Sequence, residues 1–180
     1  YNYPKWIGSD PQFLLCNTVD TVVFENNIKK LQRPYSWQQI ATYQGAIHIP
    51  YNISTMTIFE HYTANIPMIF PSKSFLLELY QSGNALSQLT WNKTFNTTPL
   101  PKRELNNIFD INNVVRLINA ADFYDDEWMP YITYFDSFKH LSEVLSQHNS
   151  VEISTKMSKI NIIRKHQVYK LWKEILEKLS

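Results

Sequence analysis

The stretch from Gly45 to Ser72 constrains the fold more than any other part of the chain. It opens with a short apolar run, Gly45–Ile49, that a proline interrupts, as is typical of a buried strand that enters a loop. Apolar side chains at helical spacing follow Thr55, and Asn65 tolerates the left-handed conformation in which helices often end. A second apolar run, Met68–Phe70, follows a proline that the helix cannot pass. We therefore expect a strand, a polar loop, a helix and a second strand in succession.

The predicted helix begins with hydroxyl residues that suit an anion site. Ser54 or Thr55 can cap it, and the first turn of a helix carries unpaired backbone N–H groups and a partial positive charge. Helix starts that follow a strand and a loop are common phosphate-binding positions for this reason. The geometry predicts a phosphate site, and plain helix capping is the alternative role of the two hydroxyls.

Apolar runs and helical patterns alternate along most of the chain, which favours an α/β domain. We expect a Rossmann-like parallel sheet with helices on both faces and a long C-terminal helix, in a single domain over residues 1–180. Ligands bind such sheets at the carboxyl ends of the strands, so Pro50–Met56 and Pro71–Ser74 are expected on one edge. Residues 81–110 are polar and read as a long loop or insertion, and Val19–Lys30 fits either a helix or a strand. The other predicted elements are a strand at Phe13–Cys16, a helix at Trp37–Tyr43 capped by Ser36, a helix at Phe75–Tyr80 capped by Ser74, a helix at Asn112–Ala120, a strand at Tyr131–Phe135, a helix at Phe138–Ser146 capped by Asp136 or Ser137, and an amphipathic helix at Lys156–Leu179.

Charge and glycine content exclude several classes of function. The 17 basic and 16 acidic residues nearly cancel, whereas a dedicated nucleic-acid binder usually has a strong basic excess. The chain has three glycines and neither a Walker-type phosphate loop nor the glycine-rich turn of dinucleotide-binding enzymes. A nucleotide-sugar epimerase or dehydrogenase is therefore disfavoured.

The single cysteine indicates the redox state of the compartment, and the hydropathy pattern indicates whether the chain spans a membrane. Cys16 can form no internal disulfide, which fits a reducing compartment, and we expect a cytoplasmic protein. Its apolar surroundings predict an inert buried thiol, and the sequence suggests no zinc cluster. The chain has no uninterrupted apolar run of about 18 residues, so we expect no membrane span.

The spacing around Glu60 resembles a signature of glycosyltransferases. Six residues separate Glu60 from Pro67, and two apolar residues come soon after that proline. With the hydroxyl residues before it, this pattern is similar to the donor-binding, C-terminal half-domain of GT-B-fold glycosyltransferases. The passage from Tyr35 to Pro50 and the long C-terminal helix resemble the same fold. The chain also resembles glycosyltransferase-like proteins from large DNA viruses of algae.

The resemblance implies a site for a nucleotide-diphosphate sugar. By position, Glu60 matches the glutamate that binds the ribose hydroxyls, and Ser54 and Thr55 match the groups that hold the diphosphate. A carboxylate can accept from two vicinal hydroxyls, and a helix start can stabilise a leaving diphosphate without a metal. Retaining members often carry a second glutamate at the position of Asn52, so the asparagine slightly favours an inverting reaction.

Other residues are candidates for the same site. Arg33 and Lys73 are the cations best placed for the diphosphate charge, and Tyr35 or Trp37 could stack on the nucleobase. The catalytic residues stay unassigned, with His48 and Asn52 as candidates. The remaining donor-binding candidates, in the loop and at the start of the helix, are Tyr51, Asn52 and Met56.

Each of these residue types also has an ordinary structural role. Glu60 could be an exposed helix carboxylate, Lys73 a solvated loop lysine and His48 a satisfied strand residue. For His61 we expect a surface position on the helix. The acidic segment Asp122–Glu127 could bind a divalent ion, but its spacing differs from the usual Asp-x-Asp, and we expect a solvated or interaction loop.

Together the patterns predict the donor-binding domain of a glycosyltransferase that needs no metal or other cofactor. The expected partners are a nucleotide-sugar, a carbohydrate or glycoconjugate acceptor, and an N-terminal domain of the same protein that supplies the acceptor site. The resemblance to one half of a two-domain fold implies that further domain. The alternative is a non-catalytic α/β carbohydrate-binding or interaction module, which Asn52 in place of a glutamate favours.

Overall fold

A five-stranded sheet forms the centre of the protein in a computed structural model, which describes residues 4–16, 27–32, 34–90 and 111–179. All neighbouring strands are parallel, and their order is β2-β1-β3-β4-β5. The predicted α/β class, a Rossmann-like parallel sheet with helices, is confirmed. The strands are β1 (Phe13–Cys16), β2 (Ile28–Lys30), β3 (Ala46–His48), β4 (Met68–Pro71) and β5 (Thr133–Phe135).

Six α-helices and two short 3₁₀ helices complete the described part. The 3₁₀ helices are Ser87–Thr90 and Asp122–Tyr124. Several predicted boundaries are wrong. The first helix ends at Ile40 rather than Tyr43, and the last strand begins at Thr133 rather than Tyr131. The third α-helix is capped by Ser72 rather than Ser74, and the last begins at Ser150 rather than Lys156. The α-helices are α1 (Trp37–Ile40), α2 (Met56–Thr63), α3 (Lys73–Gln81), α4 (Ile111–Asn119), α5 (Phe138–Gln147) and α6 (Ser150–Leu179).

Apolar residues of the sheet that are register partners pack in the same hydrophobic cluster. Leu15 lies opposite Ile47, which in turn lies opposite Ile69, and all three are fully buried. They belong to the larger hydrophobic cluster, together with side chains of α3, α4 and α5. Leu14 and Ala46 are also register partners, and they pack in a smaller cluster with Trp6 and Ile40. Since successive residues of a strand point to opposite faces, both faces of the sheet are covered.

The unit from β3 to β4 has the predicted form. Gly45 directly precedes β3 and lies close to the Pro67 carbonyl. A Cβ at this position would lie 2.8 Å from that oxygen, which explains why the residue is a glycine. Asn65 has a φ of 61°, so α2 ends in the left-handed conformation as expected. The backbone N–H of Ala46 then donates to the Pro67 carbonyl at 2.8 Å and joins the start of β4 to β3.

Helix α6 is buried only near its beginning. Ser154 and Met157 are buried, and the Asn161 side chain donates to the Tyr62 carbonyl at 2.9 Å and to Asn65 Oδ1 at 2.8 Å. We expected the apolar side chains of this amphipathic helix to pack on this domain or on a further domain, and in the second half of the helix they are exposed. Among the helices that the structure describes, none has an apolar stretch that could cross a lipid bilayer. The exposed apolar residues of α6 beyond Asn161 are Ile162, Ile163, Val168, Tyr169, Leu171, Trp172, Ile175 and Leu176.

Candidate functional site at the carboxyl edge of the sheet

The strand order defines a crevice between β1 and β3. From β1 the sheet extends outward through β2, and from β3 it extends the other way through β4 and β5. In open parallel sheets, ligands bind at the carboxyl ends of the two strands where this direction reverses. Cys16 and His48 are register partners and end these two strands. The loop from Ile49 to Thr55 leaves β3 at this point, so the predicted loop lies at the expected edge.

This loop is anchored by hydrogen bonds, and exposed apolar side chains lie in it and directly after it. The Pro50 carbonyl accepts from the N–H of Leu86 at 2.8 Å, and Asn52 Oδ1 accepts from the N–H of Ile53 at 2.7 Å. Tyr51 in the loop is 40% exposed, and Met56, the first residue of α2, is 73% exposed. Both side chains are therefore accessible to a ligand.

The start of α2 has no side-chain cap. Thr55 occupies the N-cap position in an extended conformation, but its hydroxyl caps no backbone N–H, and Ser54 is exposed. In contrast, Ser36, Ser72 and Ser137 each accept from the N–H three residues on. The Thr55 hydroxyl therefore does not cap the helix, although helix capping was one of its two expected roles. Without a cap, the first turn of α2 can offer its N–H groups to an anion.

Glu60 lies half-buried on α2, on the same flank as Met56, because residues four apart on a helix lie one above the other. It stands about 6 Å along the axis from the first residue of the helix. On the same helix, Phe59, Tyr62 and Thr63 line a groove against α6. The helix start and Glu60 therefore lie about one turn apart on one side of α2, close enough for a single ligand to span both.

The neighbouring strand brings a cation to the same edge. Lys73 is the first residue of α3, which follows β4, and its ammonium lies 5.5 Å from the centre of the Tyr124 ring. A cavity of about 240 Å³ lies here, lined by Ser72, Lys73, Tyr124, Asp126 and Tyr134. Lys73 is exposed, so its predicted alternative as a solvated lysine also fits this position.

The two tyrosines of this cavity are held by backbone carbonyls. Tyr124 donates to the Pro71 carbonyl at 2.6 Å, and Tyr134 donates to the Phe123 carbonyl at 2.7 Å. Burial, and then the nearness of Tyr134, raises the pKa of Tyr124 far above its usual value. Burial, followed by the charge of Asp126, raises the pKa of Tyr134 to about 12. Both hydroxyls therefore stay protonated and brace the segment before β5 against β4.

His48 and His61 lie in the core rather than at the surface. His48 Nε2 lies 3.0 Å from His61 Nδ1, and the two residues are 5% and 0% exposed. The expected surface position of His61 is therefore wrong, because the helix turns this residue toward the sheet. Burial lowers the pKa of His61 to about 4, and burial together with the nearness of His61 lowers that of His48 well below its usual value. His48, a catalytic candidate from the sequence, is a neutral imidazole in a hydrogen-bonded buried pair.

Several other sequence candidates have structural surroundings. Trp37 packs edge-on against the His61 ring at 5.5 Å, and Tyr35 packs against the smaller hydrophobic cluster. Arg33 lies outside the described residues. In the acidic segment, Asp125 Oδ1 accepts from the N–H groups of Glu127 and Trp128, so this carboxylate shapes a turn. Those bonds agree with an ordinary loop.

A groove between α2 and α6 was not predicted from the sequence. It has a volume of about 860 Å³ and lies between α2, the segment around Trp128 and α6. Arg164 closes one end by donating to the carbonyls of Glu127 and Trp128, and its guanidinium lies 5.9 Å from the centre of the Tyr62 ring. These residues come from three distant parts of the chain, so no local pattern could have indicated the groove.

No protein-family model, curated protein or solved structure matches this chain. The site must therefore be interpreted from its own residues. Its strongest features are the uncapped start of α2 and the half-buried Glu60 on the same helix.

Proposed function

We propose that this chain is the donor-binding domain of a glycosyltransferase that uses a nucleotide-diphosphate sugar. The observation that carries the proposal is the position of α2. Its first turn lacks a side-chain cap and follows β3 at the carboxyl edge, beside the crevice between β1 and β3. An anion is the group that such a helix start binds best.

The proposal assigns one part of the donor to each group of residues. The diphosphate contacts the first turn of α2, with the Ser54 and Thr55 hydroxyls beside it and Lys73 supplying positive charge from the next strand end. The ribose hydroxyls bind the carboxylate of Glu60. Tyr51 and Met56, both exposed at the loop, provide apolar contacts for the base or the sugar.

Glycosyl transfer would then proceed with the helix start and Lys73 stabilising the negative charge that develops on the leaving diphosphate. Fixed N–H groups do this without a metal, because their dipoles already point to where the charge develops. The acceptor and the general base come from a further domain of the same protein. This division of roles predicts that the chain alone binds nucleotide and transfers sugar slowly or not at all.

Calorimetric titration with UDP, GDP and ADP tests the proposal on wild type and on Glu60→Gln. Loss of hydrogen bonds to a charged acceptor costs about 1.5–3 kcal/mol, so we expect about a 10- to 100-fold weaker affinity. Glu78→Gln is the matched control, because Glu78 is an exposed glutamate on α3. Its affinity should equal that of wild type.

The outcomes separate the two functions considered. Absence of binding by all three nucleotides would overturn the donor-binding proposal and leave the non-catalytic carbohydrate-binding or interaction module. Binding that is unchanged in Glu60→Gln would refute the ribose role alone. Inorganic diphosphate should compete with the nucleotide if the helix start holds the phosphates.

A further inference from the structure

Three side chains that can bind metal ions meet behind the carboxyl edge. The Cys16 sulfur and one ring nitrogen each from His48 and His61 all lie within 4.8 Å of one another. Cys16 and His48 come from register partners on adjacent strands, so their side chains leave the same face of the sheet. His61 reaches them from α2. Among the described residues, this is the one group of three such ligands.

The spacing is close to that of a tetrahedral zinc site. Zinc–nitrogen bonds of about 2.0–2.1 Å place two nitrogen ligands about 3.3 Å apart, and a zinc–sulfur bond of about 2.3 Å places sulfur about 3.6 Å from each nitrogen. His48 Nε2 and His61 Nδ1 are already 3.0 Å apart. A movement of a few tenths of an ångström would therefore open the nitrogen pair. The sulfur lies within 4.8 Å of both nitrogens, so an approach of up to about 1.2 Å would complete the three ligands.

The two imidazole rings are held in place by aromatic neighbours. Phe70 stacks on His48 with ring centres 5.0 Å apart and an interplanar angle of 11°, and Trp37 contacts His61 edge-on. Both histidines are almost fully buried, with exposed fractions of 5% and 0%. The two facing nitrogens, His48 Nε2 and His61 Nδ1, are therefore held at a fixed spacing beside the cysteine.

We propose that Cys16, His48 and His61 bind one Zn²⁺ ion. A thiolate and two imidazoles suit zinc, whereas magnesium and manganese prefer oxygen ligands. Each imidazole donates a nitrogen lone pair, and the thiol of Cys16 releases its proton as the sulfur–zinc bond forms. The ion ties β1, β3 and α2 together and so sets the start of α2 relative to the sheet. Three protein ligands leave the fourth tetrahedral position to a water molecule. The proposed ion does not depend on the proposed glycosyl transfer.

Cobalt substitution offers a direct test, because Cys16 is the one cysteine of the chain. The full chain is reduced, stripped with a chelator and titrated with Co²⁺. A cobalt–thiolate charge-transfer band in the near ultraviolet can then arise only from Cys16, and the visible bands report tetrahedral geometry. Zn²⁺ should displace cobalt at one equivalent per chain and raise the melting temperature. The test variants are Cys16→Ala and His61→Asn, and His166→Asn, which removes an exposed histidine of α6, is the control.

We expect the thiolate band in wild type and in His166→Asn, and its loss in both test variants. Absence of the band at saturating Co²⁺ in folded wild type overturns the proposal. So does zinc uptake at one equivalent that is unchanged in folded Cys16→Ala. If the test variants fail to fold, the wild-type cobalt spectrum and the zinc stoichiometry decide the question by themselves.

Discussion

The aromatic stack beneath the candidate site should contribute a measurable coupling energy. Phe70 and Phe123 are 0% and 1% exposed, and their rings stack with centres 4.5 Å apart and an interplanar angle of 15°. His48 covers the other side of Phe70. The stack thus connects β3, β4 and the 3₁₀ helix Asp122–Tyr124 through side chains alone.

Leucine is the suitable replacement at both positions, because truncation to alanine could unfold the domain. We expect Phe70→Leu and Phe123→Leu each to lower the free energy of unfolding by about 1–2 kcal/mol through lost contacts in a packed core. A stacked aromatic pair contributes about 0.5–1.5 kcal/mol beyond the area that it buries. The double variant should therefore lose less than the sum of the single variants by about that amount.

Urea denaturation followed by far-ultraviolet circular dichroism measures the four free energies of the cycle. The urea dependence of the free energy of unfolding must stay constant across the variants for the comparison to hold. Trp172→Leu is the control partner, because Trp172 is 58% exposed on the second half of α6 and should combine additively with Phe70→Leu. A coupling between Phe70 and Phe123 below about 0.3 kcal/mol would contradict the argument, since independent sites are additive within that margin.

Three further predictions follow from individual contacts. Burial lowers the pKa of His148 to about 4, so the unfolded chain binds a proton that the folded chain does not. The free energy of unfolding should therefore fall by about 1–2 kcal/mol from this residue alone between pH 7.5 and pH 5. Urea titrations in chelator should show a shallower fall for His148→Gln, and an unchanged slope would refute this assignment. Gly45→Ala should destabilise by about 1–3 kcal/mol through the clash with the Pro67 carbonyl, whereas Gly83→Ala, with open space around it, should cost about 1 kcal/mol from its positive φ; equal losses would contradict the clash. Ser137→Ala should cost about 1 kcal/mol because its hydroxyl caps α5, while Thr55→Ala, whose hydroxyl makes no capping bond, should cost clearly less; a similar loss at Thr55 would argue against an uncapped α2.

Local sequence patterns were sufficient to predict most of the strands and helices, although not all of their boundaries. The apolar runs at Phe13–Cys16 and Met68–Phe70 coincide with strands, and Asn65 ends α2 in the left-handed conformation. Such features depend on neighbours a few residues away, so the sequence carries them directly. Alternation of strands and helices was likewise enough to predict the parallel α/β class.

Side-chain environments were harder to predict, because they depend on packing between distant segments. The sequence placed His61 on the helix surface, but rotation of α2 against the sheet buries it beside His48. Apolar spacing in α6 predicted packing on this domain or on a further domain, and beyond Asn161 the apolar side chains are exposed. Hydrophobic periodicity shows which side chains share a face, and it does not show what covers that face.

Some features of the candidate site were likewise predictable from the sequence, and others depend on the tertiary structure. The sequence alone determined that a loop with hydroxyl residues leads from a strand into a helix that carries Glu60. Only the tertiary structure decided that this helix starts beside the crevice between β1 and β3 without a side-chain cap. The cluster of Cys16, His48 and His61 depends on strand register and helix rotation together. Register is a long-range property, because it is set by hydrogen bonds and packing between strands that lie far apart in the chain.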